Sequence, residues 1–204
     1  MLNPKNIIFD LGGVLLDIDF ARTGQAFEKL GVHNFLSLYN QYHADAFFSD
    51  FEKGKQSDEA FFNHIQEICN CRHLSHSQVR DAWNALLIRF PEERVEWLFS
   101  IAEKYRIFLF SNTNQVHYKW FAAAFEKQTG KVFNDVFVKA YYSHEMGLRK
   151  PDPASYQLIL DEQELVPSET LFIDDTEKNT IAAAELGMQT VFLEKPMSVM
   201  ELGL

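Results

Sequence analysis

Only two cysteines, Cys69 and Cys71, occur in the 204 residues, and a single residue separates them. They are too few for a disulfide scaffold and too close for an ordinary bridge, which fits a reducing cytoplasm. With His73 and His76 they look superficially like a zinc set, but the spacing matches none of the familiar ligand pairings, and they read as helix-end residues in a connection. Basic runs are lacking too. None exceeds a dipeptide, and Lys+Arg 19 against Asp+Glu 29 leave a net charge of −10, so nucleic acid and anionic membranes are poor partners. No stretch approaches the roughly 18 apolar residues of a membrane span. Met1 to Lys5 lead directly into an apolar stretch without a charged-then-apolar leader, so no signal peptide is expected. Internal repeats and low-complexity segments are also missing. What is present is 47% hydrophobic content with 19 Phe, enough for the packed core of one domain or of a domain with an insertion.

The stretch Asn6 to Asp17 organises the rest. An apolar run of strand length ends in a carboxylate, Asp10, and Gly12 and Gly13 follow almost at once. Glycines there allow close approach of backbone to a ligand, or a tight turn; the stretch alone leaves open a catalytic or metal-binding Asp and an ordinary turn Asp. The pattern then becomes helical. Phe20, Phe27 and Leu30 start one amphipathic helix ending near Gly31, and residues 34–48 read as a second. Ser57 is an N-cap, with Asp58 and Glu59 in the first turn and Phe61, Phe62, Ile65 and Cys69 as the apolar face. Val79, Ala82, Trp83, Leu86 and Leu87 follow helical spacing, and Pro91 suits the first turn of the next helix. The span 18–90 therefore predicts an inserted helical domain with no strand, its Trp83 and Phe-rich faces forming that domain's core.

Beyond it strands alternate with helices. Strands are expected at 106–110, near Tyr141-Tyr142, at 170–173 and at 189–193, and helices follow Asn114, run from Asp152 to about Glu164 and cover 180–186. This predicts an α/β protein, a parallel sheet with helices on both faces. In such sheets ligands bind outside the carboxyl ends of the strands. The residues there are Asp10, then Ser111-Asn112-Thr113-Asn114, then Asp174-Asp175, with Arg149-Lys150-Pro151 before a helix. Each has a task in phosphoryl transfer. A carboxylate can attack phosphorus. A hard divalent cation held by Asp10 and the Asp174-Asp175 pair would relieve its repulsion from phosphate. Ser111 and the amides after it suit phosphate oxygens, and Lys150 can touch both phosphate and Asp10. Taken singly, each also has an ordinary reading as a cap, a helix-start acid or a surface lysine.

The order Phe9-Asp10-Leu11-Gly12-Gly13-Val14-Leu15, Phe110-Ser111-Asn112-Thr113, Arg149-Lys150-Pro151-Asp152-Pro153 and Phe172-Ile173-Asp174-Asp175, with Asn179, Ala183 and Gly187 following, closely resembles the haloacid dehalogenase superfamily. In spelling it is most similar to sugar-1-phosphate phosphatases and the phosphatase domain of soluble epoxide hydrolases. The resemblance implies a Rossmann-like catalytic core over 1–17 and 91–204 and a helical cap over 18–90. It makes Asp10 the nucleophile, Ser111, Asn112 and Lys150 the phosphate binders, and Asp10, Gly12 (by its carbonyl), Asp174 and Asp175 the Mg²⁺ site, with Asn179 steadying the acidic loop. It also implies a small phosphorylated metabolite as substrate.

One departure matters. Most phosphatases of that superfamily carry a second Asp two positions after the nucleophile, as general acid and then base; here Gly12 stands there. Three readings follow. One is a phosphatase with an easy leaving group, such as an anomeric hydroxyl, or one recruiting water or Asp17, although Asp17 reads first as a polar residue where the chain passes from core to cap. The others are a 2-haloacid dehalogenase, against which Asp174-Asp175 argues, and a binding module without turnover. Phe51, Glu52, Lys53 and Gly54 are expected in a loop before the Ser57 cap, either solvated or projecting into the crevice with Lys53 on the substrate.

Overall fold

The computed structural model describes residues 3–33, 35–38 and 46–204. Its centre is β1 (Asn6–Phe9), buried along its whole length. Parallel neighbours flank it: β4 (Arg106–Ser111) on one side, β6 (Thr170–Asp174) on the other. β5 (Lys139–Tyr142) and β7 (Gln189–Phe192) complete a five-stranded sheet of order β5-β4-β1-β6-β7. The apolar runs are continuous because both faces are covered. Ile7 and Phe9 face a layer with Leu109, Ile173, Val95, Leu98, Phe121 and Phe125. Ile8 faces the opposite layer, with Phe108, Phe172, Tyr156, Ile159 and Ala183. Successive side chains of β1 thus supply two cores, as the strand's period of two requires. α6 (Glu92–Ala102) and α7 (Gln115–Thr129) carry the first layer; α9 (Pro153–Glu162) and α10 (Glu177–Glu185) carry the second. The chain moves outward from β1 to β4 and β5, then returns to β6 beside β1. That reversal opens a crevice at the carboxyl ends of β4, β1 and β6.

The segment between β1 and α6 departs from the expected all-helical span. β2 (Asp17–Ile18) pairs antiparallel with β3 (Leu87–Arg89), and Asp19 donates its amide to the Leu86 carbonyl at 2.9 Å. Leu86 and Leu87 fit a helical period, but their backbone partner lies some seventy residues away, where no local pattern reveals it. The preceding helix, α5 (His76–Asn84), stops before them. Between β2 and α5 lie α1 (Phe20–Lys29), α2 (Phe35–Leu38), α3 (Ala46–Glu52) and α4 (Asp58–Ile68). The helix expected over 34–48 falls partly outside the described residues, Tyr39 and Tyr42 included. Ser57 caps α4 as expected, its hydroxyl accepting from Ala60 N at 3.1 Å. Pro91 precedes α6 at its N-cap position.

These helices form a separate apolar cluster containing Phe27, Phe35, Phe48, Phe51, Phe61 and Trp83. Cys69 and Cys71 are buried in it as free thiols, and burial pushes the Cys69 thiol up to about 11, which makes thiolate ligation of a metal unfavourable. The cluster rests on α7 through Val116 and His117. Asn114 Nδ2 lies 3.1 Å from His117 Nδ1, and as an amide NH₂ it can only donate there. Nε2 then carries the proton toward the Trp83 carbonyl, 3.4 Å away. Burial lowers this imidazole to about 3, so it stays neutral. No helix among the described residues is long and apolar enough to cross a membrane.

Candidate active site

The register of the sheet builds the site. Phe9 is level with Leu109 and Ile173, so the next residues along, Asp10, Phe110 and Asp174, form one row across the three central strands. Lys150 reaches this row from the turn before α9. Its ammonium donates to Asp10 Oδ1 at 2.6 Å, the Phe110 carbonyl at 2.8 Å and Asp174 Oδ2 at 2.7 Å. Three N–H donors meet three acceptors, one from each strand, which satisfies a side chain that is 1% exposed. Burial alone would lower the Lys150 pKa; Asp10 and Asp174 reverse that and hold it above the ordinary lysine range.

The lysine is itself held. Asn112 Oδ1 accepts from Lys150 N and Asn112 Nδ2 donates to Lys150 O, both at 2.9 Å. The Asn112 side chain, expected on phosphate, grips the Lys150 backbone across the crevice instead. Ser143 Oγ likewise engages both the amide and the carbonyl of Thr113. Ser111 lines the cavity.

On the other side of Asp10, Asp174 is fully buried and its Oδ1 accepts from Thr176 N at 2.8 Å. Asn179 Nδ2 approaches both Asp174 oxygens, at 3.1 and 3.0 Å. Asp175 follows at the strand end, and Gly13 makes room for it. A Cβ on Gly13 would stand 2.0 Å from Asp175 Oδ2, and the backbone there has φ +78, a conformation that glycine adopts without strain. Oxygens of Asp10, Asp174 and Asp175 all lie within 4.8 Å of one another, the sole such acidic, His or Cys group among the described residues. Three carboxylates against one ammonium leave the cluster negative. Burial first, then Asp174 and Asp175, push Asp10 up to about 7 despite Lys150; burial and Asp174 raise Asp175 as well. Closely spaced hard oxygens with uncompensated charge suit a small divalent cation.

The cavity over this cluster is lined by Asp10, Gly12, Ser111, Asn112, Lys150 and Asp175, together with Ile18, Phe20, Glu52, Arg149, Thr176, Lys178 and Asn179. An adjoining recess shares Gly12, Ile18, Phe20, Glu52, Ser111 and Asn112, and its further wall is of mixed character, with Leu16, Leu86 and Phe121 beside Thr113 and His117. Of the residues singled out in the sequence, Asp10, Gly12, Ser111, Asn112, Lys150, Asp174 and Asp175 thus meet in one place. Lys53 is not among the lining residues; its neighbour Glu52, at the end of α3, is. Asp17 is held elsewhere, 3.0 Å from Arg94 Nη1 and 3.8 Å from Arg89 Nε. Arg149 and Lys178 had no individual signal in the sequence beyond adjacency to site residues.

The sheet and the acidic cluster at its carboxyl edge place the protein among α/β proteins whose ligand site lies at the carboxyl ends of an open parallel sheet. The chain belongs to the haloacid dehalogenase-like hydrolase family, whose profile matches residues 4–187. It is 33% identical over 186 residues to D-ribitol-5-phosphate phosphatase of Bacteroides thetaiotaomicron, covering 91% of this chain and 90% of that protein. A haloacid dehalogenase family enzyme of the same organism, solved in complex with magnesium and inorganic phosphate, superposes with a TM-score of 0.89 at 34% identity, over 98% of this chain and 99% of the other. A family hydrolase of Porphyromonas gingivalis gives 0.83 at 31% identity, over 92% and 90%.

Proposed function

We propose that the protein is a Mg²⁺-dependent phosphatase of small polyol or sugar phosphates, acting through a phosphoenzyme on Asp10. The observation that carries this reading is the row Asp10–Lys150–Asp174 with Asp175 beside it at the crevice. Residues 1–17 and 91–204 serve as the catalytic core and 18–90 as a cap over it. The free, buried Cys69 and Cys71 fit a cytoplasmic setting.

Asp10, Asp174 and Asp175 are the carboxylates that would hold Mg²⁺, with the Gly12 carbonyl as a further oxygen donor. When bound, the ion offsets the charge of the carboxylate cluster and of the phosphate. Lys150 fixes Asp10 Oδ1, leaving Oδ2 as the attacking atom. A bond forms from Oδ2 to phosphorus as the bond to the leaving alcohol breaks; water then attacks the acyl phosphate, releasing phosphate and restoring the carboxylate. Ser111 and the amides beside it bind phosphate oxygens, while Asn112 positions Lys150. The relative's substrate name describes an ester of an ordinary alcohol, which favours a polyol phosphate over the anomeric ester of a sugar 1-phosphate.

Chelation tests this directly. EDTA is expected to abolish hydrolysis of p-nitrophenyl phosphate, and excess Mg²⁺ to restore it. Full activity under complete chelation overturns the reading, and chloride release from 2-chloropropionate under the same conditions would mark a dehalogenase instead. A second test addresses the metal cluster. Gly13→Ala forces a methyl group against Asp175 Oδ2, and Mg²⁺ affinity by calorimetry is expected to fall by about 10- to 100-fold, the usual cost of disturbing a ligand's support. Unaltered affinity would remove Asp175 from the site.

A further inference from the structure

We infer that Glu52, carried into the cavity at the end of α3, is the catalytic proton-transfer residue that stands in for the side chain lacking at Gly12. The inference rests on the phosphatase reading above and extends it. A polyol leaves as an alkoxide, a strong base that needs a proton as the phosphorus–oxygen bond breaks. Gly12 has no side chain to supply one, and Ile18 Cδ1 lies 2.9 Å from where a Cβ on Gly12 would be. The place of a second carboxylate next to Asp10 is therefore taken by hydrocarbon.

Elimination among the titratable groups lining the cavity leads to Glu52. Asp10 and Asp175 belong to the acidic cluster, and Lys150 has all three N–H groups engaged. Arg149 does not release a proton at any working pH. Lys178 is exposed. Glu52 lines both the charged cavity and the mixed polar and apolar recess beside it, the boundary where a leaving alcohol would lie. Its side chain is 15% exposed, and Oε2 stands 3.1 Å from Arg149 Nη2. That approach is not aligned as a hydrogen bond, so Oε2 and Arg149 Nε are both buried without a hydrogen-bond partner among the described residues. The guanidinium offsets the charge of the carboxylate, and the hydrogen-bonding capacity of Oε2 stays open to a ligand or a proton.

The carboxyl is also seated with respect to Asp10. Arg149 adjoins Lys150, whose backbone Asn112 clamps and whose ammonium binds Asp10. Two residues on, Gly54 packs so closely that a Cβ would be 2.0 Å from the His144 carbonyl. Burial raises the Glu52 pKa above the ordinary carboxyl range, opposed by Arg149, then Lys178, then Lys53. That direction suits an acid at neutral pH. In the first displacement the Glu52 proton passes to the departing alkoxide oxygen, giving alcohol and carboxylate. In the second, the carboxylate takes a proton from the attacking water as its oxygen bonds to phosphorus and the Asp10 ester bond breaks.

The test compares two leaving groups in the wild type and in Glu52→Gln, an isosteric change. D-Ribitol 5-phosphate and glycerol 3-phosphate release alkoxides; p-nitrophenyl phosphate releases a phenolate that departs unprotonated. The expected result is a fall in kcat/KM of about 10²- to 10⁴-fold on the better alkyl ester, with a loss on the aryl ester at least about tenfold smaller. Equal losses on both esters, or none on either, overturn the inference. So does a wild type that cleaves the aryl ester but neither alkyl ester. A wild type that cleaves none of the three overturns the phosphatase reading itself. If the variant does not fold, the wild type still decides the matter: the alkyl-to-aryl ratio of kcat/KM should fall as rising pH deprotonates the acid, and a flat ratio overturns the role.

Discussion

Asp10→Asn is expected to lower phosphate release by about 10⁴-fold or more, the scale seen when a nucleophile is removed, without lowering the melting temperature. The amide matches the carboxylate in shape but is too poor a nucleophile to form the acyl phosphate. Its oxygen still accepts from Lys150, whose other partners, the Phe110 carbonyl and Asp174, are untouched. Asp10 is pushed up to about 7 by burial and by its acidic neighbours, so a neutral replacement relieves repulsion that the folded protein otherwise bears. Thermal melts in EDTA and phosphate-release assays on one preparation separate the two effects. Undiminished hydrolysis would remove Asp10 from the chemistry, and a melt several degrees lower would show that its charge supports the fold.

Lys150→Met should do the reverse: it should harm the fold as much as the chemistry. Asp10 and Asp174 lose the ammonium that lies 2.6 and 2.7 Å from them, in a place where the lysine is 1% exposed. Breaking a buried pair from one side costs about 3–5 kcal/mol, because the remaining charge stays buried and unmatched. For a chain of this size about 2–4 °C is lost per kcal/mol, so the melting temperature in EDTA should fall by roughly 6–20 °C. Mg²⁺ should recover part of that loss, since a ligand that binds only the folded state stabilises it. A melt in EDTA within a degree or two of wild type would mean that the carboxylates do not depend on the lysine.

The contrast between these two substitutions shows what was legible beforehand. Asp10, Ser111 and the Asp174-Asp175 pair stood out because strands with both faces buried are unbroken apolar runs, and the polar residues ending them are conspicuous; Lys150 stood out by its place in Arg149-Lys150-Pro151 before a helix. The partners of Asn112 were not legible: its amide grips Lys150, 38 positions further along the chain, and nothing local distinguishes that task from phosphate binding. Lys53 and Glu52 differ for another reason. Successive residues of a helix are rotated by about 100°, so reading 51–54 as a loop, when α3 continues through Glu52, selects the wrong side chain for the crevice. β2 and β3 were not legible because strands of two and three residues carry no period of their own.

The β2–β3 ribbon has an evolutionary consequence. Asp17 lies opposite Arg89 and Ile18 opposite Leu87, so the long excursion between them begins and ends at neighbouring points, about 5 Å apart. A segment whose ends already meet can be lengthened, trimmed or exchanged without moving the strands that carry Asp10, Ser111 and Asp174. The ribbon acts as a socket, and if Glu52 supplies the proton, exchanging the excursion changes which alcohols can leave while the attack on phosphorus stays as it is.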